Sequence, residues 1–224
     1  MDAPRLLEPR PAELARTTLA RARAARVTCS CREGPGTDPV TASMRADQAG
    51  QPVLLFASGS ARAQHVTSHP GITVTVPAEP PFMSLAITGT TQAGWRVGRS
   101  ATLACRMAVR SVRFTGPAGR PVPLTEYEEA RPDPFWRQAP GLLAHLEQGH
   151  MGELLGCVRA HGVDEAQWVL PRGLDRFGIE LSVLTLDGAV TVRLAFPDGP
   201  VRCLDDIPAS LRTVLTCRCG RADC

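Results

Sequence analysis

Helical spacing comes first along the chain: Pro11 to Arg26 carries Leu14 and Leu19 among alanines, behind a proline that suits a first helical turn. At Arg26 the period falls to two. Val27, Cys29 and Cys31 alternate with Thr28 and Ser30, which predicts a strand that ends at the turn-rich Glu33-Gly34-Pro35-Gly36. Apolar runs from Val40 to Ala46, Val53 to Ala57, Ile72 to Val76, Met83 to Thr90, Gln92 to Val97 and Met107 to Phe114 predict further strands. Between them Ser60 to Ser68 predicts a short polar helix, ended by His69-Pro70-Gly71. Two strands, a helix and more strands with long crossings predict a small closed barrel, not a dinucleotide-binding sheet. Neither common glycine-rich phosphate loop is present.

Proline and glycine cluster at Gly116 to Pro123 and Arg131 to Pro140, which places a boundary between residues 1–130 and 131–224. The second part predicts one helix from Gly141 to His161, strands at Trp168 to Leu170, Gly178 to Leu186 and Val190 to Phe196, and a last helix from Leu204 to Leu215. Asp187-Gly188 between two alternating runs is a hairpin signal. On the first of these helices Leu143, Leu146, His150, Leu154, Cys157 and His161 share a stripe, and His145, Gly149, Gly152 and Gly156 lie roughly opposite. Three glycines inside one helix cost about 1 kcal/mol each against alanine, so something is expected to approach that backbone closely. A packed element or a flat ligand with His145 or His150 at its edge would do so. On a continuous helix the two histidines stand about 140° apart, so one flat ligand would use only one of them.

Composition changes the picture in two respects. The formal charge of +3 is too small to argue for nucleic acid. All 25 basic residues are arginine, which reads as coding bias because an anion site would be local. No apolar run has the 7 or more residues of a signal peptide at the N-terminus, and none approaches the roughly 20 of a membrane span. A soluble cytosolic protein is therefore expected. Eight cysteines are many for that setting, where clustered thiols point to metal or redox chemistry before disulfides.

Several stretches resemble one family. His145-Leu146-Glu147-Gln148-Gly149-His150 resembles a His-Met-Asn-x-Asp-His signature, Leu174-Asp175-Arg176-Phe177-Gly178 an Asp-Arg-Tyr-Gly element, and Phe196-Pro197 through Val201 a closing Phe-Pro-x-Pro-Val turn. Tyr127 with Ala130-Arg131-Pro132-Asp133-Pro134 resembles the link into that domain. These belong to the domain that follows a split barrel in haem-utilisation proteins of the HugZ type and in the plant glutamyl-tRNA reductase-binding protein. Glu147 and Gly149 replace the family's Asn and Asp. The resemblance implies an α+β chain: an FMN-binding-type split β-barrel followed by a small C-terminal α/β domain. It also implies a homodimer holding haem at the interface of its two split barrels, with haem-degrading oxygenase-like or haem-trafficking activity. The family's axial histidine lies in a C-terminal tail, but no histidine follows His161 here.

Three functional classes fit these residues. The first is a haem-binding protein using a cysteine thiolate, His145 or His150 as iron ligand and Arg62, or Arg113, for the propionates. Arg62 sits in Ser60-Ala61-Arg62 ahead of His65 and His69-Pro70, a run that resembles the phosphate-contacting run of FMN-binding barrels, with His65 where Asn is expected. The second is a cysteine-ligated zinc, iron–sulfur or redox-sensing protein, with Cys29, Cys31, Cys217, Cys219 and Cys224 as ligands in two Cys-x-Cys pairs and a third tail thiol. The third is a non-catalytic adaptor for a partner enzyme, as the plant relative of the family implies. Cys105, Cys157 and Cys203 read as small core hydrophobes, and His65 with His69 as an exposed i, i+4 pair.

Overall fold

The computed structural model describes residues 8–29, 39–69, 71–78, 82–92, 94–97, 101–196, 199–207 and 209–211. The chain forms two compact units, one from Arg10 to Pro132 and the other from Asp133 onward. Each has its own apolar core.

The first unit opens on α1 (Pro11–Arg21), with Pro11 in the first turn, and α1 ends five residues before the sequence pattern suggests. The reason is the strand that follows. Ala25, Val27 and Cys29 point inward from β1 (Ala24–Cys29), and the β1 ladder already pairs Ala24 with Ser43 of β2 (Val40–Ala46). Ladder pairing with β2 outweighs the helical preference of Ala24 and Ala25. Next come β3 (Pro52–Ala57), α2 (Ala61–Ser68), β4 (Ile72–Pro77), β5 (Ser84–Thr91), β6 (Trp95–Arg96), β7 (Thr102–Thr115) and β8 (Pro121–Val122).

All these pairings are antiparallel, in the order β3-β2-β1-β4-β5-β7, and β3 also pairs with β7. Six strands therefore close on themselves as a barrel, with β6 and β8 on the flank of β7. Closure removes the sheet edges that would otherwise invite pairing with other chains. The long β7 makes closure possible because it reaches both β3 and β5; its first residues, Thr102 to Arg106, carry few cues in the sequence. Leu54, Ile72, Val74, Leu85, Ile87, Met107 and Phe114 fill the interior at 0% exposure. Each contributes about 1.5–3 kcal/mol of apolar burial.

A helix that periodicity does not reveal, α3 (Leu124–Glu129), follows the barrel. Its buried Tyr127 donates its phenolic hydrogen to the Gly50 carbonyl at 2.6 Å, and the buried Arg16 of α1 donates to the Ala49 and Gln48 carbonyls at 2.5 and 3.2 Å. Gly50 has φ +79°, and a Cβ there would collide with the Arg16 guanidinium, so the β2–β3 turn needs glycine for backbone and for space.

The second unit holds α4 (Ala139–Gly149), α5 (Met151–Ala160), β9 (Trp168–Asp175), β10 (Gly178–Thr185) and β11 (Gly188–Ala195). Its three strands form an antiparallel sheet in the order β11-β10-β9. The hairpin expected at Asp187-Gly188 is present, with Thr185 opposite Gly188 and the turn itself at Leu186-Asp187. The single helix expected from Gly141 to His161 is two helices, since His150 leaves helical geometry at φ −130° and ψ 20°. Gly149 and Gly152 flank the break, and their low helix preference reduces what the interruption costs. Leu204–Asp206 is a 3-10 turn and the helix resumes at Ile207, while residues 212–215 of the expected last helix lie outside the described residues. The chain is thus α+β, a closed split-type barrel with a small second unit.

Candidate functional site

The helix break decides the geometry of the histidine pair. On a continuous helix His145 and His150 would diverge; across the α4–α5 junction their rings meet edge to face, with centroids 5.0 Å apart and Nε2 to Nε2 at 3.3 Å. His145 is exposed and His150 half-buried. A Glu153 oxygen lies 3.6 Å from Nδ1 of His150, one helical turn along α5. A proton on Nδ1, facing that carboxylate, would leave Nε2 of His150 with its lone pair toward His145.

The glycines beside this pair do not serve a packed element. A Cβ built on Gly149 or Gly152 meets no atom within 4 Å. The expectation of a strand or helix pressed onto that backbone is therefore wrong for these two positions, because they face open space. Of the stripe opposite, Leu146, Leu154 and Cys157 are buried, while His161 is exposed and its Nδ1 donates to the Cys157 carbonyl at 2.8 Å.

The motifs flanking the pair are structural. The Asp175 carboxylate accepts from the Phe177 and Gly178 amides at 2.8 and 3.2 Å and from Arg193 at 2.6 and 2.7 Å, which fixes the β9–β10 turn. Asp133, 2% exposed, accepts from the amides of Phe135 and Arg176 at 2.9 and 3.0 Å. The Val201 amide then donates to the Arg176 carbonyl at 2.7 Å, so the link, the turn and the closing segment lock together.

The remaining candidates lie elsewhere. Arg62 is exposed in the first turn of α2, where Ser60 caps the helix by accepting from the Ala63 amide at 3.2 Å. Arg113 is exposed on β7. Both belong to the barrel unit, as does a cleft of about 400 Å³ lined by Thr18, Arg21, Ala22, Arg23, Ala24, Pro77 and Ala78. None of those lining residues ligates iron. Cys105 and Cys157 are buried as expected, but Cys203 is exposed: it sits in the bend before the 3-10 turn, its thiol 3.8 Å from an Asp205 oxygen. Of the five cysteines grouped by spacing, Cys29 closes β1 and Cys31, Cys217, Cys219 and Cys224 lie outside the described residues. Cys29 instead has His65 and His69 beside it, a grouping that linear spacing does not show.

No family model matches this chain, and no curated protein matches it. Among solved structures it is similar to a haem-binding protein from Mycobacterium smegmatis, with a TM-score of 0.59 and 21% identity over 94% of this chain and 98% of that one. It is also similar to a protein of unknown function from Agrobacterium tumefaciens, at a TM-score of 0.41 and 17% identity over 95% and 99% of the two chains, a likeness too loose to build on. The first likeness places the fold among α+β proteins with a split barrel and a small additional domain. Among the described residues no helix is long and apolar enough to cross a membrane.

Proposed function

We propose that the protein binds haem at the junction of α4 and α5, with Nε2 of His150 as the nitrogen offered to the iron. The observation that carries this reading is the meeting of His145 and His150 beside open backbone at Gly149 and Gly152. The donor set fits: the His150 imidazole, with the Glu153 carboxylate near its far nitrogen, would ligate the iron, and the open backbone at Gly149 and Gly152 would leave space for the ring. The haem-binding protein of similar fold supports haem as the ligand. Bound haem would supply the redox and oxygen chemistry. This chain's own residues hold and orient: Glu153 keeps the proton on Nδ1 of His150, and His145 is a positioning residue that shares its proton with Nε2 until that nitrogen is engaged. Arg62 stands in the barrel unit and is not drawn into this site.

Titrating haem into the purified protein tests the reading. A saturating Soret shift at one haem per chain is expected, weakened strongly by His150→Ala and by about tenfold or more for Glu153→Gln. A His145→Ala/His150→Ala double variant that binds haem as the parent does would sink it. Adding a reductant and oxygen to the loaded protein then separates a carrier, whose Soret band persists, from a degrading enzyme, whose band is lost.

A further inference from the structure

We propose a second, separate site: Cys29, His65 and His69 of the barrel unit bind a late first-row divalent metal ion, zinc foremost. The barrel's register brings them together. Cys29 is the last residue of β1 and pairs with Ile72, the first residue of β4. α2 runs directly into β4, so its last turn lies over the end of β1. His65 and His69 are four residues apart, the spacing that puts two imidazoles on one side of a helix. One ligand atom from each of the three residues lies within 4.8 Å of the other two. The two rings are 4.4 Å apart between centroids and inclined at 58°.

The second shell is already in place. Nδ1 of His69 lies 2.6 Å from the His65 carbonyl, and only a protonated nitrogen bonds to a carbonyl. That bond fixes the tautomer and leaves Nε2 of His69 as the lone-pair nitrogen, as in most metal-binding histidines. Thiolate and imidazole together select zinc, cobalt or nickel over magnesium or calcium, which need oxygen ligands. In tetrahedral zinc sites neighbouring ligand atoms stand about 3.3–3.8 Å apart, so the side chains must draw in by about 1 Å. His65 and His69 are half-buried, so neither is locked in the core. Among the described residues three ligands stand together, and a fourth donor, water or an added ligand completes a tetrahedral site. A bound ion ties α2 to the end of β1, so it stabilises the barrel whether or not it does chemistry.

The test uses the full chain, stripped with a chelator and titrated with cobalt(II). A Cys217→Ser/Cys219→Ser/Cys224→Ser background removes the tail thiols from the reading. One cobalt per chain is expected in that background, with a sulfur-to-cobalt charge-transfer band and the strong visible bands of tetrahedral cobalt. Cys29→Ala should abolish the charge-transfer band, and His65→Ala or His69→Ala should weaken binding about tenfold or more. Because Cys29 is buried, its melting in chelator is measured first and sets the baseline from which its zinc-dependent shift is read. Zinc should raise the melting temperature of the parent by more than that of His69→Ala. A charge-transfer band that survives Cys29→Ala, a titration indifferent to both histidines, or no cobalt uptake would each overturn the site.

Discussion

Two buried polar residues show what a single side chain contributes to this fold, and neither stands out in the sequence. Arg16, 3% exposed, donates to three carbonyls around the β2–β3 turn and α3, those of Ala49, Gln48 and Tyr127. Burial lowers its pKa and pushes the Tyr127 phenol up, out of the ordinary range. Arg16→Ala leaves those carbonyls without their donor, and an expected loss of about 2–4 kcal/mol would appear in urea unfolding. Tyr127→Phe strands only the Gly50 carbonyl and should cost about 1–3 kcal/mol. Asp133 carries a pH signature. Burial raises its pKa above 3.8, outweighing the two amides it accepts from. With the folded value above the unfolded one, its contribution is complete below the unfolded pKa and is lost as pH rises through the folded value. Wild type should therefore exceed Asp133→Asn in stability by most in acid, and the gap should narrow as pH rises above the ordinary carboxylate range. A gap that widens toward neutrality would mean that the amides win.

At the scale of elements, local pattern gave most strands to within a residue or two, since an alternating run with one buried face admits few other readings: Val40–Ala46 and the β10–β11 hairpin are examples. What it did not give depends on tertiary pairing. The end of α1, the reach of β7 and the short α3 are set by ladders and packing outside their own segments. The break at His150 is the case with functional weight. Glycine content signalled something unusual there, but a helical projection assumes continuity and so placed the two histidines apart. The sign of one substitution separates a structural from a binding role for the glycines. Gly152→Ala enters open space within α5, so propensity alone should stabilise the protein by up to about 1 kcal/mol. If haem lies on that backbone, the same methyl group should weaken haem binding while the melting temperature rises. Unchanged haem affinity in a stabilised variant would remove the glycine strip from the proposed site and leave His150 to stand alone.

At the scale of the molecule, barrel closure was readable because strand, helix and strand followed one another with long crossings, whereas the pairing of Cys29 with Ile72 was not, since register across a closed sheet is a property of all six strands. That register joins a thiol singled out for its Cys-x-Cys spacing to two histidines set aside as a surface pair. The two candidate sites draw on different units and share no residue: His145, His150 and Glu153 after Pro132, Cys29, His65 and His69 before it. They should therefore fail separately. In a crossed experiment, His145→Ala/His150→Ala should lose the Soret shift and keep the cobalt charge-transfer band, and Cys29→Ala should do the reverse. Zinc-loaded and stripped protein should titrate with haem to the same endpoint. Loss of both signals in one ligand variant whose melting is unchanged would mean that one group of side chains serves both ligands, so that either the histidine junction or the Cys29 cluster has been assigned wrongly.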